Sequence, residues 1–552
     1  MALSVSRIYQ VVSFFLLIGI LLMSRLFYLQ IIENTNLASE SLSMRMQEVA
    51  MEVPRGEILD RTGLALTDTT QHFTLLIFTE QLENIEREST QLAELTGLSS
   101  EYLIEQITRH QRPFKVQASI DAMTGKKINS LHLPGVMVVP EKSRYAYRSI
   151  ATHVTGYIND ADNEGISGIE SIYDDVLRGD QPEYAAVVVD ARRKIIPGIG
   201  YKRLRLPAGA RPSNVVLTID RGIQSIVESI MDRHAIKGAV VILQPATGEV
   251  LAMASRPNFD ANHIEDYLAQ RATPLLNRAI LSYQPGSVFK LVTAAAALEN
   301  HIVTPDQIFF DSGYIEVEHL RFNGWDYQKG GRGQLTFTEA LAYSSNPIFI
   351  QIGLQLGADK LVSYAKKFGF GHKTSLDFTG EAAGNLPIAD QMYSGELANL
   401  AIGQGEFEAT PLQVVSLVAT IANDGVKVDP HLVSKLTNAD GVVVKEYQGG
   451  ESKRILSKKT AKELQSMMMA VTRYGTGQSA YVEGGGSAGK TGSAETGRKS
   501  MTGQGISHAW FAGYAPLLNP QYAVVVFVED GMSGGDIAAP IFGEIIQELV
   551  AR

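Results

Sequence analysis

The 552-residue chain contains no cysteine, which removes disulfides, a thiol nucleophile and a lipid-modified cysteine anchor together. That absence assigns no compartment, since cysteine-free chains exist on both sides of a membrane. Its 11 histidines are scattered and no His-Glu-x-x-His occurs, so a metal centre has no ligands at the usual spacing. No glycine loop has Walker spacing or the strand-to-helix dinucleotide pattern, and no cofactor is expected. The formal net charge is −10, with neither a basic block nor aromatic residues interleaved with basic ones, which argues against nucleic acid as a partner. Internal repeats and low-complexity tracts are also missing.

One apolar run is present. Ile8 to Ser24 is uncharged, Arg25 follows, and apolar residues continue to Ile32. This meets the lower limit for a spanning helix, with Arg25 near enough to the end to snorkel. A cleaved signal peptide would have a shorter apolar core and a small-x-small cleavage site, which is not clear before Glu33. Residues 1–32 therefore read as a short cytoplasmic tail and a single uncleaved anchor, with the bulk of the chain outside.

Behind the anchor, residues 33–213 read as a mixed region of short strands, helices and polar turns. Tyr201–Ser213, with its prolines and basic cluster, reads as a linker. A new body opens at residue 214 and runs to 552. Asn214–Asp220 is a strand and Ile223–Met231 a helix, and Ala239–Leu243 and Glu249–Ala254 form a hairpin across Pro245-Ala-Thr-Gly248. Helices follow at Phe289–Leu298, from Glu339 onward, and at Leu412–Asn423, the last opened by Thr410-Pro411. Strands return around Lys490, at His508–Tyr514 and at Tyr522–Glu529, before a closing helix at Ile541–Val550. Strands at both ends of a helical middle imply a mixed α/β body, one sheet with an inserted helical subdomain.

Three short motifs carry chemistry. Ser-x-x-Lys occurs at Ser287/Lys290, Ser363/Lys366 and Ser487/Lys490. At Ser287 it opens an alanine-rich helix, where i and i+3 share a face and a desolvated lysine can take the hydroxyl proton. Ser363 reads as a solvated helix surface. Ser344-Ser345-Asn346 lies where a helix is expected to end at Pro347, so its side chains can enter a cleft; read alone, it is better taken as a Ser/Asn turn before proline. Lys490-Thr491-Gly492-Ser493 follows the glycine-rich Gly484–Gly489. Those glycines would let an incoming peptide add to a strand edge. Lys490 then supplies positive charge, Thr491 a hydroxyl for a carboxylate, and the N–H groups of Ser287 and Ser493 an oxyanion hole. A flexible glycine loop is the plain alternative.

Taken in order, Ser287-x-x-Lys290, Ser344-x-Asn346 and Lys490-Thr491-Gly492 resemble the ordered triple of penicillin-binding proteins and serine β-lactamases. Arg55-Gly-Glu-Ile-Leu-Asp-Arg-Thr-Gly63, Gly168-Ile-Glu-Ser-Ile-Tyr173, Gly403-Gln-Gly405 and His508–Tyr514 are similar to phrases of the class B penicillin-binding proteins. The resemblance implies an antiparallel sheet flanked by helices, behind a non-catalytic α+β pedestal of the dimerisation type at 33–213. It implies a membrane-anchored peptidoglycan D,D-transpeptidase, blocked covalently by β-lactams and partnered by a membrane glycan polymerase. Residue by residue, it makes Ser287 the nucleophile, Lys290 its proton acceptor, Ser344 the proton relay and Asn346 the holder of the substrate amide. Lys490, Thr491, Gly492 and Ser493 complete the electrostatic and carboxylate site, and Asp60 and Arg61 are structural. A D,D-carboxypeptidase differs only in the acyl acceptor. A β-lactamase would need a deacylating glutamate, and Glu381-Ala-Ala-Gly-Asn385 has the wrong spacing. A scaffolding role is compatible with catalysis.

Overall fold

The computed structural model describes residues 5–34, 37, 45–51, 55–67, 70–146, 149–159, 163–179, 183–190, 192–196, 201–205, 212–374, 376–499, 503 and 505–551. The chain divides into two compact units that are not contiguous in sequence. One comprises Met1–Pro54, Thr70–Ser143 and Asp180–Ala210, the other Arg55–Thr69, Arg144–Gly179 and Arg211–Arg552.

The first unit begins with the helix Val5–Phe27, extended by a π-turn over Tyr28–Ile32. Over Arg7–Ile32 the mean hydropathy is 2.2 and the segment is unburied, which makes it, among the described residues, the one helix long and apolar enough to cross a membrane. The rest of this unit holds two three-stranded sheets. In one, Thr70–Ile77 lies between Phe114–Ile120 and Val136–Ser143, and helices Ile85–Thr96, Ser100–Arg109 and Ala122–Ser130 accompany it. Each helix starts where a polar side chain, Asn84, Ser99 or Asp121, accepts from the free N–H three residues on, which satisfies one of the unpaired donors of a first turn.

The second unit is built on a five-stranded antiparallel sheet. Its strands are β1 (Gly238–Leu243), β2 (Val250–Arg256), β3 (Ala488–Lys499), β4 (Gly505–Ala515) and β5 (Tyr522–Val528), in spatial order β2-β1-β5-β4-β3. Side chains alternate across a strand, and here both faces are covered. Ala239, Val241, Leu243, Val525 and Phe527 enter one core; Val240, Ile242, Val524 and Val526 enter another. The first core takes the helices α2 (Lys290–Glu299), α3 (Phe337–Ala342), α4 (Asn346–Leu356) and α5 (Pro411–Ala422); the second takes α1 (Arg221–Arg233) and the C-terminal helix α7 (Ala539–Val550). Helix α2 is buried all round except at Glu299, as expected of a helix apolar on every side. Helix α6 (Lys458–Arg473) leads into β3.

The segments Arg55–Thr69 and Arg144–Gly179 pack within this second unit. Glu170, fully buried, accepts from Arg55 Nε at 2.6 Å, Arg144 Nε at 2.7 Å and the Tyr145 hydroxyl at 3.1 Å. Asp60 accepts from the N–H groups of Thr62 and Leu64 at 2.8 and 2.9 Å and from that of Arg221, the first residue of α1, at 3.1 Å. Burial pushes the Asp60 carboxyl up, but these hydrogen bonds outweigh it and hold the group below its ordinary range.

Two local expectations are corrected. Tyr201–Arg205, read as the start of a linker, is a strand paired antiparallel with Glu183–Val188; the partner strand supplies hydrogen bonds that a basic five-residue segment does not advertise. Residues 206–211 of that linker lie outside the described residues. Pro347 opens a helix rather than ending one: α4 begins at Asn346, capped by Ser345. Proline's missing N–H is harmless in a first turn, where that donor has no partner anyway.

Candidate active site

Ser287 sits in a 3-10 turn, Gly286–Phe289, that runs directly into α2. In that geometry residues i and i+3 eclipse, so the backbone stacks Lys290 under Ser287. The turn is held from two sides. Gly286 N–H donates to Gly403 O at 3.0 Å. On the other side β3 presses against it: a Cβ on Gly492 would lie 2.7 Å from Pro285 O, closer than van der Waals contact allows. A Cβ on Gly489 would meet the Phe511 ring at 2.5 Å. Of the glycines read as admitting an incoming peptide, Gly489 thus admits the protein's own ring, while Gly484 has open space around it. Among the described residues strand β3 remains the edge of the sheet, paired on one side only.

Lys290 and Lys490 are both fully buried and converge on one hydroxyl. Lys290 Nζ donates to Ser344 O at 2.7 Å, Ser344 Oγ at 3.2 Å and Asn346 Oδ1 at 2.7 Å. Lys490 Nζ donates to Ser344 Oγ at 2.9 Å and Thr491 O at 3.0 Å. Among the described residues no hydrogen bond joins Lys290 to the Ser287 hydroxyl. Burial, and then the charge of Lys490, pushes the Lys290 ammonium well below its ordinary value, while Asp311 and Asp326 pull it back. Burial alone lowers Lys490 to about 7.

Ser344 owes its position to the end of α3. Its φ is 59°; its N–H donates to Leu341 O at 3.1 Å and that of Ser345 to Ala340 O at 2.9 Å. This pair of bonds is a Schellman termination, with serine at the left-handed position that glycine usually fills. A side chain held there costs about 1 kcal/mol, a strain that the surrounding bonds sustain. The result directs both the carbonyl and the hydroxyl of one residue at Lys290. Asn346 Nδ2 donates to Asn323 O at 3.0 Å, which orients the amide with its oxygen toward the lysine.

Thr491 is buried and its hydroxyl lies 2.6 Å from that of Thr476. Ser493 is exposed; its hydroxyl accepts from Gly534 N–H at 3.2 Å and its carbonyl from Gln404 Nε2 at 3.4 Å. Of the other Ser-x-x-Lys serines, Ser363 is exposed on the helix Ala358–Phe368, and Ser487 is fully buried, donating to Ala480 O at 2.6 Å. Thr476, Gln404, Asp311 and Asp326 were not singled out as site residues in the sequence. Gln404 lies in the phrase Gly403-Gln-Gly405, and Gly475-Thr-Gly477, a threonine between two glycines after a helix, offered a signal for Thr476.

Known family models divide the chain linearly rather than by these two units. The model described as the penicillin binding protein transpeptidase domain matches residues 238–547, and that of the penicillin-binding protein dimerisation domain matches residues 50–200. Stage V sporulation protein D of Bacillus subtilis (strain 168) is 32% identical over 561 residues, covering 98% of this chain and 85% of that protein. Peptidoglycan D,D-transpeptidase MrdA of Escherichia coli (strain K12) is 29% identical over 594 residues, covering 97% and 92%. A solved chain described under the words "Structural coordination of polymerization and crosslinking by a peptidoglycan synthase complex" superposes with a TM-score of 0.74 at 29% identity, covering 98% of this chain and 97% of that one. A peptidoglycan synthetase of Bifidobacterium adolescentis ATCC 15703, 21% identical with a TM-score of 0.67, shares the fold over 92% of this chain and 96% of its own.

Proposed function

Because this chain belongs to the class B penicillin-binding proteins, we propose that it is a peptidoglycan D,D-transpeptidase whose Ser287 carries the acyl group between stem peptides. One observation carries the assignment of roles: two fully buried lysines, Lys290 and Lys490, donate to the single hydroxyl of Ser344, beside the turn that bears Ser287.

Ser287 Oγ bonds to the carbonyl carbon of the penultimate D-Ala as its proton passes to the neutral amine of Lys290. Desolvation, the first cause of the lowered Lys290 value, favours that neutral amine. Lys290 Nζ turns from Ser344 toward Ser287 when substrate is seated; catalytic hydrogen bonds often tighten only in the complex. The N–H groups of Ser287 and Ser493 hold the oxyanion. As the peptide C–N bond breaks, Ser344 protonates the departing D-Ala amine and is resupplied from Lys290. Asn346 holds the substrate amide, while Lys490 and Thr491 take the terminal carboxylate and Gly492 keeps the strand close to the turn. An acceptor amine then attacks the ester by the reverse proton route, forming the cross-link and freeing Ser287. A β-lactam opens by the same attack, but its leaving nitrogen stays tethered, so the ester persists.

In this reading the apolar N-terminal helix lies in the membrane, the catalytic unit lies outside the cytoplasm, where the stem peptides are, and a membrane glycan polymerase is the partner. Support comes from Arg7 beside the amino terminus and from likeness to a chain of a complex described as coordinating polymerization and crosslinking.

Labelled penicillin is expected to leave a long-lived adduct on Ser287, seen by intact mass and peptide mapping, and none on Ser287→Ala. The same adduct on that variant would sink the assignment. With a stem peptide and an amine acceptor, cross-linked product is expected; free tetrapeptide alone would mean a carboxypeptidase.

A further inference from the structure

The Thr491 hydroxyl has a partner outside the three motifs. Thr476 Oγ1 lies 2.6 Å from Thr491 Oγ1, and the loop that carries Thr476 has little freedom. This loop follows α6. The Thr476 N–H donates to Ala342 O at 2.9 Å, at the end of the helix that delivers Ser344, and Gly477 N–H donates to Val471 O at 3.0 Å. A Cβ on Gly475 would fall 2.3 Å from the same Ala342 oxygen, so only glycine lets the loop approach this closely. Thr476 therefore ties the strand of Thr491 to the turn of Ser344.

A hydroxyl has one proton and rotates freely unless a neighbour fixes it. When Thr476 donates to Thr491 Oγ1, the Thr491 proton is left for an acceptor in front of β3. A hydrogen bond to a charged acceptor is roughly twice as strong as a neutral one, so fixing that proton matters most for an anionic group. We propose that Thr476 is a positioning residue that holds the Thr491 hydroxyl as a donor toward the substrate carboxylate, and thereby sets the preference for substrates with a free C-terminal carboxylate. The proposal rests on the reading of Ser287 and Thr491 given above. Thr476 itself touches no reacting atom.

The test uses the detergent-purified full-length chain and two probes, a labelled penicillin and its methyl ester, with second-order acylation rates measured for wild type, Thr476→Val and Thr476→Ser. Thr476→Val is expected to slow acylation by the acid about tenfold, the loss of the one neutral hydrogen bond that orients the Thr491 proton, and to leave the ester rate within about twofold. Thr476→Ser restores the acid rate. Both probes are read on one preparation, so partial unfolding cancels in the acid-to-ester ratio. An unchanged ratio in Thr476→Val, whether both rates fall or neither does, overturns the role of Thr476. A wild-type chain without an adduct on Ser287, or one acylated equally fast by acid and ester, overturns the underlying reading instead.

Discussion

A lysine taken out of water gives up its proton early, and Lys490 does so near pH 7 rather than at its ordinary 10.5. The unfolded chain keeps that proton until about pH 10. Between about pH 7 and 10 the unfolded state therefore binds more protons than the folded state, so stability rises with pH across this window and is flat below it. Lys490→Met, which keeps the volume and removes the charge, is expected to stabilise the fold at pH 6 by on the order of a few kcal/mol, fading toward pH 10. Urea unfolding of the two proteins at a series of pH values measures this; a variant no more stable at pH 6 would refute the burial argument. Burial likewise pushes the Lys290 ammonium down, which favours the neutral amine that the proposed acylation requires. At this scale the motifs were legible in the sequence because each is short and local. Thr476 was not, because its role exists only through a strand 15 residues further along.

At the scale of elements, the two phrases that resemble the class B pedestal meet through their charged side chains. Arg55 of the first binds Glu170 of the second at 2.6 Å, and Arg144 adds a second cation to the same buried carboxylate at 2.7 Å. Removing one partner of a buried ion pair leaves charge without compensation. Glu170→Gln is thus expected to destabilise the second unit by about 3 kcal/mol, with guanidinium unfolding as the measurement; a loss within experimental error would mean that water or Asp174 compensates both arginines. Most elements could be read in advance from caps and periodicity. Helix α5 is an example, with Thr410 bonding Gln413 N–H, Gln413 bonding back to Thr410 N–H, and proline in the first turn. The strand Tyr201–Arg205 could not be, since pairing with Glu183–Val188, not its own composition, makes it a strand.

For the whole molecule, the division of the chain is topological rather than linear. Arg55–Thr69 and Arg144–Gly179 leave one unit to pack in the other, and Ile58–Leu59 pairs in parallel with Val215–Val216 there. The anchor is separable by contrast, because Arg7–Ile32 buries nothing of itself. A chain beginning at residue 45 is expected to lose carbonate-resistant membrane association while keeping penicillin acylation of Ser287. Retained membrane association would show that a second surface binds the bilayer.

The sequence by itself determined the apolar N-terminal helix, the main strands and helices of the second unit, and Ser287 as the candidate nucleophile, because hydrophobic period, capping residues and short motifs are all local in the chain. Only the tertiary structure decided that two lysines 200 positions apart (490 − 290) share one serine hydroxyl and that serine occupies a glycine-type helix end. It also decided that Gly492 and Gly489 receive the protein's own backbone and ring. Each of these depends on which distant segments pack together. Desolvation and close approach are properties of that packing, and no single stretch of sequence carries them.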